Sequence, residues 1–396
     1  VYNSPKATDL GGGPQTKSGG ARQLAWERHD NLDAVREPWR RLQETAWMTP
    51  FQRIEWAERW IRGMGEKAGE QPVFILGRDH DGPAILLPLV LRGKGLRRRL
   101  AWLGDPANDY NVPLMEAGLL STLDDAGAQE ILEEVARLTP EASYLSLSRM
   151  PPSLAGLANP FCSRDIIRES DGFHLMEIEG SWADFERCRW SKNTRHRFRQ
   201  KRNQLVRQGR LALRRMESPD EQAATTRKIL EWKAAQLRAR GSHNPFNPAF
   251  IAFLEDVARS DMAEILALEF EGTPIAGIIG LKRPNGLLVY QIAYDIRFSK
   301  QSPGRLVMTD VAEMLVARGE NVLDFGFGDE EYKAGLATGS LPLCRRLMPI
   351  GTAGQLSCEL ERGLEAARRF AKSNPLVSGL YFALGRRRSG EAAPAD

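Results

Sequence analysis

SPGRLVMTDVAEMLVARGENVLDFGFGDEEYK, Ser302–Lys333, is the stretch on which the fold turns. Ser302-Pro303-Gly304-Arg305 is a tight turn, and Pro303 suits a first helical turn because its missing N–H costs nothing there. Leu306, Val311, Leu315 and Val316 carry the apolar spacing of a helix. A strand follows and ends in Gly326 and Gly328, which permit close approach of a ligand or a neighbouring backbone. Small residues at a helix start let backbone N–H groups point at phosphate oxygens, where the orphan donors and the dipole favour negative charge. The layout suits the phosphates of an activated acyl donor, with proton-transfer groups close by. Gln301, Ser302, Pro303, Gly304 and Arg305 are the candidate donor turn. Beyond the strand, Tyr332 can donate a proton to a leaving thiolate, and Lys333 can stabilise an oxyanion or bind a phosphate. Asp324 and Glu330 are the candidate bases for an incoming amine.

Upstream, a layout recurs. A helix around Phe51 to Arg62 precedes a strand at Val73–Leu76, a turn at Asp81-Gly82-Pro83 and a strand from Ala84 to Arg92. A helix around Phe250 to Arg259 precedes a strand from Ile265 to Phe270, a turn at Glu271-Gly272-Thr273-Pro274 and a strand from Ile275 to Lys282. The two sets lie about 190 residues apart, as expected of an internal duplication. Further strands are expected at Arg99 to Leu103, Tyr110 to Met115, Tyr144 to Leu147, Leu287 to Tyr294 and Val322 to Phe327. Helices are expected at Leu123 to Leu138, Trp182 to Gly209 and Pro219 to Arg240. The fold class is α+β, helices packed on strands in each half. The expected divisions are a disordered leader at 1–20, one domain at 21–170, a second at 171–365, and a helix and tail at 366–396.

Between Glu186 and Glu217 there is no acid, and there are twelve Lys and Arg residues. Trp190, Thr194, Phe198 and Leu205 recur at helical spacing as a buried stripe, leaving the cations on the other faces. Like charges such as Arg195 and Arg199, four apart, oppose an isolated helix. An anionic partner would relieve them: cofactor phosphates, an acidic carrier protein or RNA. The alternative is a solvated helix that pairs with acids elsewhere in the fold.

The chain has 396 residues, 42% hydrophobic and 27% charged, with a formal charge of +4. That length points to two domains. The charge is too small to imply a nucleic-acid binder, and no DNA partner is expected. Cys162, Cys188, Cys344 and Cys358 form no C-x-x-C pair, so no zinc or redox motif is expected, and no metal. No signal-peptide h-region lies near the start. The longest apolar run, Ala84 to Leu91, falls short of the roughly 20 residues a membrane helix needs. No transmembrane segment and a cytoplasmic location are therefore expected.

The 302–333 residues also carry a family likeness. Ser302-Pro303-Gly304, Asp324-Phe325-Gly326, Gly328 and Tyr332-Lys333 together resemble the acetyltransferase domain of CelD/BcsL-type proteins, of the GNAT superfamily (Gcn5-related N-acetyltransferases). The basic segment from Arg189 to Arg210 resembles the family's arginine-rich entry to this domain, and Asp109-Tyr110 resembles a dipeptide of its first half. The likeness covers about Trp182 to Gly351. It implies tandem GNAT-like domains, each a mixed, mostly antiparallel sheet flanked by helices, an arrangement also found in Fem-type transferases that use aminoacyl-tRNA. It implies acetyl-CoA or another acyl-CoA as co-substrate, held where Leu287–Tyr294 and Val322–Phe327 splay apart, with Arg195 and Arg199 as further donor contacts. It implies Asp109 and Tyr110 at the acceptor, which would be a small molecule or a glycan-linked amine or hydroxyl, given the family's association with bacterial exopolysaccharide and cellulose biosynthesis. In many GNAT loops the last position is small. Here Leu306 fills it, which leaves room for a longer acyl-CoA, an acyl-carrier protein or an aminoacyl-tRNA. A binding module without catalysis is the remaining class.

Overall fold

The computed structural model describes residues 23–163, 166–242 and 244–373. The expected leader and residues 374–396 of the expected tail lie outside them. Thirteen strands of the described residues form one sheet. In the first half these are β1 (Ala25–His29), β2 (Gln71–Asp79), β3 (Gly82–Arg92), β4 (Arg99–Trp102), β5 (Leu114–Met115) and β6 (Tyr144–Met150). β7 (Ser153–Leu154) and β8 (Leu157–Ala158) form a separate hairpin. β9 (Ile166–Glu177) leads into β10 (Leu211–Arg215), β11 (Ala263–Phe270), β12 (Thr273–Arg283), β13 (Gly286–Tyr294), β14 (Val322–Phe327) and β15 (Gly339–Pro349).

The sheet order is β1-β2-β3-β4-β6-β15-β9-β14-β13-β12-β11-β10, with β5 beside β3. It is palindromic. β2-β3-β4-β6 and β11-β12-β13-β14 each run antiparallel, antiparallel, then parallel. The repeat expected from the hairpins is therefore a repeat of topology. Its turns follow local chemistry. Asp79 Oδ1 accepts from the N–H groups of Asp81 and Gly82 at the β2–β3 turn, and Glu271 and Gly272 both take positive φ at the β11–β12 turn.

The halves exchange their last strands. β9 follows the first half in sequence yet pairs with β14, and β15 follows the second half yet pairs with β6. β9 and β15 also pair with each other, which closes the two halves into one sheet. The expected division at residue 170 falls inside β9.

The helices of the first half are α1 (Leu32–Thr45), α2 (Ile54–Trp60, continued by a π-turn over Ile61–Gly65), α3 (Glu66–Ala68), α4 (Ala117–Thr122) and α5 (Asp125–Leu138). Then come α6 (Trp182–Arg189), α7 (Lys192–Val206), α8 (Pro219–Ala239), α9 (Pro248–Ala258), α10 (Pro303–Ala317), α11 (Glu331–Leu336) and α12 (Gly351–Ser373). The long helix expected from Trp182 to Gly209 is two helices. Trp190 is extended, and the Ser191 side chain accepts from Thr194 N–H, a new N-cap that ends α6 and starts α7. The strand expected from Tyr110 to Met115 shrinks to Leu114–Met115, because the side chains before it are tied to other elements. β1, β9, β10 and β15 carry no clear alternation and were not expected from sequence.

One face of the sheet holds a core common to both halves. Trp56 of α2 packs edge-on against Phe253 of α9, ring centroids 5.0 Å apart, and against Tyr290 of β13 at 5.6 Å. Two further cores lie on the opposite face. One packs α4 and α5 on the first half, and the other packs α10 on the second. Burying aromatic side chains of this size is worth several kcal/mol each, so the shared core holds the halves as one body.

Candidate active site

β13 and β14 pair only over Gly286–Leu288 and Val322–Asp324. β13 then runs on to Tyr294 while β14 turns away at Gly326, where φ is +67°. The parallel pair thus opens into a cleft, with α10 starting beside it. The expected donor turn lies at this point. Ser302 is left-handed, φ +53°, and Pro303 and Gly304 begin α10. Ser302, Gly304 and Arg305 line a cavity of about 220 Å³ together with Arg240 and Tyr294. Gln301 and Pro303 shape the turn without lining it.

The basic helix α7 lies against this turn. Lys201 Nζ donates to Ser302 Oγ at 2.5 Å, and Arg202 pairs with Asp310 of α10 at 2.5 Å. The Arg305 guanidinium sits 5.7 Å from the Phe198 ring. Residues 198, 201, 202 and 205 share the inward face, as helical spacing requires. Arg195 and Arg199 lie instead near Glu186, where their charges oppose the upward push that burial gives its carboxyl. Neither lines the 220 Å³ cavity. Lys192, Arg197 and Arg207 are exposed and make no ion pair among the described residues.

A second cavity, of about 500 Å³, adjoins the first and shares Lys233, Ile292, Glu330 and Tyr332 with it. Both halves build it. Trp60, Met64, Asp109 and Arg149 come from the first half, and Phe246, Phe250, Tyr290, Phe327 and Lys333 from the second. Seven aromatic residues line it, together with the charged Asp109, Arg149, Lys233, Glu330 and Lys333.

The loop after β4 delivers Asp109. Asn108 is buried, accepts from Trp56 Nε1 at 2.9 Å and donates to Leu103 O and Asn111 Oδ1. Tyr110 is buried on the other side, and its hydroxyl donates to Asp324 Oδ1 at 2.6 Å. Asp109, between these anchors, accepts from the Phe327 N–H. A Cβ at Gly326 would collide with its carboxylate, so the glycine makes the room as well as the turn. Burial pushes the Asp109 carboxyl up to about 7, against the opposing pull of Arg149 and Lys333. Arg149 is itself fixed over the Phe327 ring at 4.0 Å and donates to Asn108 O at 2.6 Å.

Asp324 stands behind these side chains. It is fully buried, pairs with Arg283 at 3.1 Å and accepts from Gly326 N–H, and it does not line the cavity. Lys333 is buried, donates to Phe327 O at 2.7 Å and pairs with Glu330 at 2.8 Å. Tyr332 faces both cavities. Burial holds its phenol well above the ordinary range, and the charges of Glu330 and Asp109 act in the same direction. Lys233, on α8, also faces both, and burial pulls its ammonium down.

Of the expected site residues, the structure brings Asp109, Ser302, Gly304, Arg305, Glu330, Tyr332 and Lys333 to one cleft. Lys233, Arg149 and Tyr290 were not expected. Nothing local in sequence distinguishes them, since a lysine on a long polar helix reads as solvated. The arrangement can hold an anionic donor at α10, a neutral hydroxyl at the junction of the two cavities and an acceptor in the larger one.

Residues 192–334 match the sequence profile of the acetyltransferase (GNAT) domain. That match spans 143 of the 396 residues. The crystal structure of FemX superposes with a TM-score of 0.56 at 9% identity, over 83% of this chain and 99% of that one. The C-terminal DUF2156 domain of a putative lysylphosphatidylglycerol synthetase from Agrobacterium fabrum gives 0.49 at 11% identity, over 84% and 95%. A tandem GNAT protein from the clavulanic acid biosynthesis pathway gives 0.42 at 15% identity, over 83% and 99%. At 9% identity the likeness to FemX is one of fold. No curated protein matches the chain. No helix among the described residues is long and apolar enough to cross a membrane.

Proposed function

We propose that this chain is an acyltransferase that moves an acyl group from acyl-CoA to an amine or hydroxyl. The observation that carries this reading is the pair of joined cavities at the opening between β13 and β14, one at the start of α10 and one between the halves. The diphosphate of the donor lies on Ser302, Gly304 and Arg305, where helix N-terminal donors and a cation favour it. The thioester reaches the junction beside Tyr332. Backbone N–H groups of β13 beyond its last pairing with β14 can stabilise the oxyanion. Tyr332 protonates the departing sulfur, because a phenol held neutral by its surroundings remains a donor at working pH. Lys333 and Glu330 pair beside it. Asp324 acts at one remove, by positioning Tyr110 and the Gly326 turn.

The acceptor occupies the larger cavity. Its aromatic residues suit a flat or apolar body and its charged ones suit an amine or a hydroxyl, either on a small molecule or on a glycan, as the CelD/BcsL likeness suggests.

Titration calorimetry with acetyl-CoA, a long-chain acyl-CoA and free CoA tests the reading. Micromolar binding to the wild type, lost in Gly304→Glu, supports it, since the new carboxylate would fill the donor turn with like charge. No binding of any of the three refutes CoA as donor.

A second reading replaces acyl-CoA with an aminoacyl-tRNA, and the exposed cations Lys192 and Arg197 of α7 and Arg207 at its C-cap favour it. RNA affinity would fall steeply with salt, whereas CoA held mainly by backbone groups would respond less.

A further inference from the structure

We propose that Asp109, delivered by the first half, takes the proton of the incoming nucleophile, so that the reaction centre is built from both halves of the chain. This rests on the acyltransferase reading above. The acids that line the larger cavity are Asp109 and Glu330. Glu330 is committed to Lys333 at 2.8 Å, and its side chain is 44% exposed. Asp324 has no exposure, so no acceptor can reach it. Asp109 is the acid that both faces the cavity and is held still. Asn108 and Tyr110 anchor the loop on either side of it, the Phe327 N–H fixes the carboxylate, and Gly326 leaves the space it fills.

Its surroundings suit the role. A base works best with a pKa near the operating pH, and burial raises this carboxyl to about 7. Its charge is also felt by Tyr332, and both groups line the same cavity.

The step balances. The acceptor nitrogen attacks the thioester carbonyl carbon, the C–N bond forms, and the N–H proton passes to the Asp109 carboxylate. As the tetrahedral intermediate collapses, the C–S bond breaks and the sulfur takes the Tyr332 proton. Asp109 then returns its proton through solvent to the Tyr332 phenolate, and both groups are restored. A hydroxyl acceptor follows the same course with oxygen in place of nitrogen.

The test uses the full chain as wild type, Asp109→Asn and Asp109→Glu. In protein labelled with ¹³C at the aspartate carboxyls, the signal missing from Asp109→Asn identifies Asp109, and its pH titration needs no substrate. We expect a midpoint near pH 7. A midpoint at the ordinary carboxylate range overturns the proposal.

Thiol release from acetyl-CoA is then followed with 2-phenylethylamine and with glucosamine as acceptors. Asp109→Asn should bind acetyl-CoA about as tightly as wild type but release thiol about 100-fold more slowly. It should also lose the rise in rate through neutral pH, and Asp109→Glu should recover part of the rate. An Asp109→Asn enzyme with wild-type rate and pH profile overturns the proposal. A wild type that binds no acetyl-CoA refutes the donor reading instead. In that case, or if neither amine is acetylated, the carboxyl titration alone decides on Asp109.

Discussion

Replacing Tyr110 by phenylalanine removes one oxygen from the join between the two halves. The Tyr110 hydroxyl donates to Asp324 Oδ1 at 2.6 Å, both residues are buried, and they stand 214 positions apart in the chain. A hydrogen bond to a charged acceptor contributes about 1.5–3 kcal/mol. The ring contacts with Phe173 and Phe51, at 5.1 and 6.2 Å between centroids, remain in the variant. Asp324 also keeps Arg283 and the Gly326 N–H. The loss should therefore fall near the lower end, about 2 kcal/mol of unfolding free energy.

Urea unfolding followed by tryptophan fluorescence measures it. The midpoint should fall with the slope unchanged, because the surface exposed on unfolding is the same. A cycle with Asp324→Asn should show coupling of about 1 kcal/mol or more between the two positions, as groups in direct contact do. A Tyr110→Phe protein within about 0.5 kcal/mol of wild type, with no coupling, would refute the bond and with it the argument that Asp109 is held from both sides.

Two further outcomes follow from the same geometry. Trp56→Ala should cost about 3–5 kcal/mol. Circular dichroism and fluorescence should still report one coincident transition, since α2, α9 and β13 meet on this ring; separate transitions for the halves would refute a shared core. The raised Asp109 carboxyl means that the folded state binds its proton more tightly than the unfolded chain does. Stability should then fall by a few kcal/mol from about pH 4 to pH 7 and level off above. Asp109→Asn should flatten that slope and unfold at higher urea than wild type at pH 8; an unchanged slope would refute the shift.

Much of the second half is legible in its residues because local chemistry decides it. The turn at Ser302–Arg305 needs a small residue and a proline, and both are adjacent in sequence. The hairpins at β2–β3 and β11–β12 announce themselves by short Gly-Pro turns between apolar runs. Tyr332 and Lys333 stand just beyond a strand that ends in glycines. The break at Trp190-Ser191 was legible in part, since a serine directly before a helical run is an N-cap signal. The cations on both sides masked it by suggesting one continuous basic helix.

Asp324 shows the limit from the other direction. A carboxylate beside glycines at a strand end reads as a base, yet Tyr110 and Arg283 enclose it, and neither is near it in the chain. Asp109 reads as a loop residue of the first half. Its neighbours Phe327 and Lys333 come from the second half, and Arg149 reaches it from β6 of its own half.

By itself, then, the sequence determined the units: two hairpin-led halves, a tight turn at the start of α10, and a tyrosine and a lysine beyond β14. Each depends on residues within a few positions of one another, where turn geometry, capping and periodicity act directly. The tertiary structure alone decided how the halves join, which acid faces the cleft and which is sealed behind it. Strand pairing across the exchanged β9 and β15, burial of Asp324 and the raised Asp109 carboxyl all arise from contacts between distant segments, and such contacts leave no periodic mark in the chain.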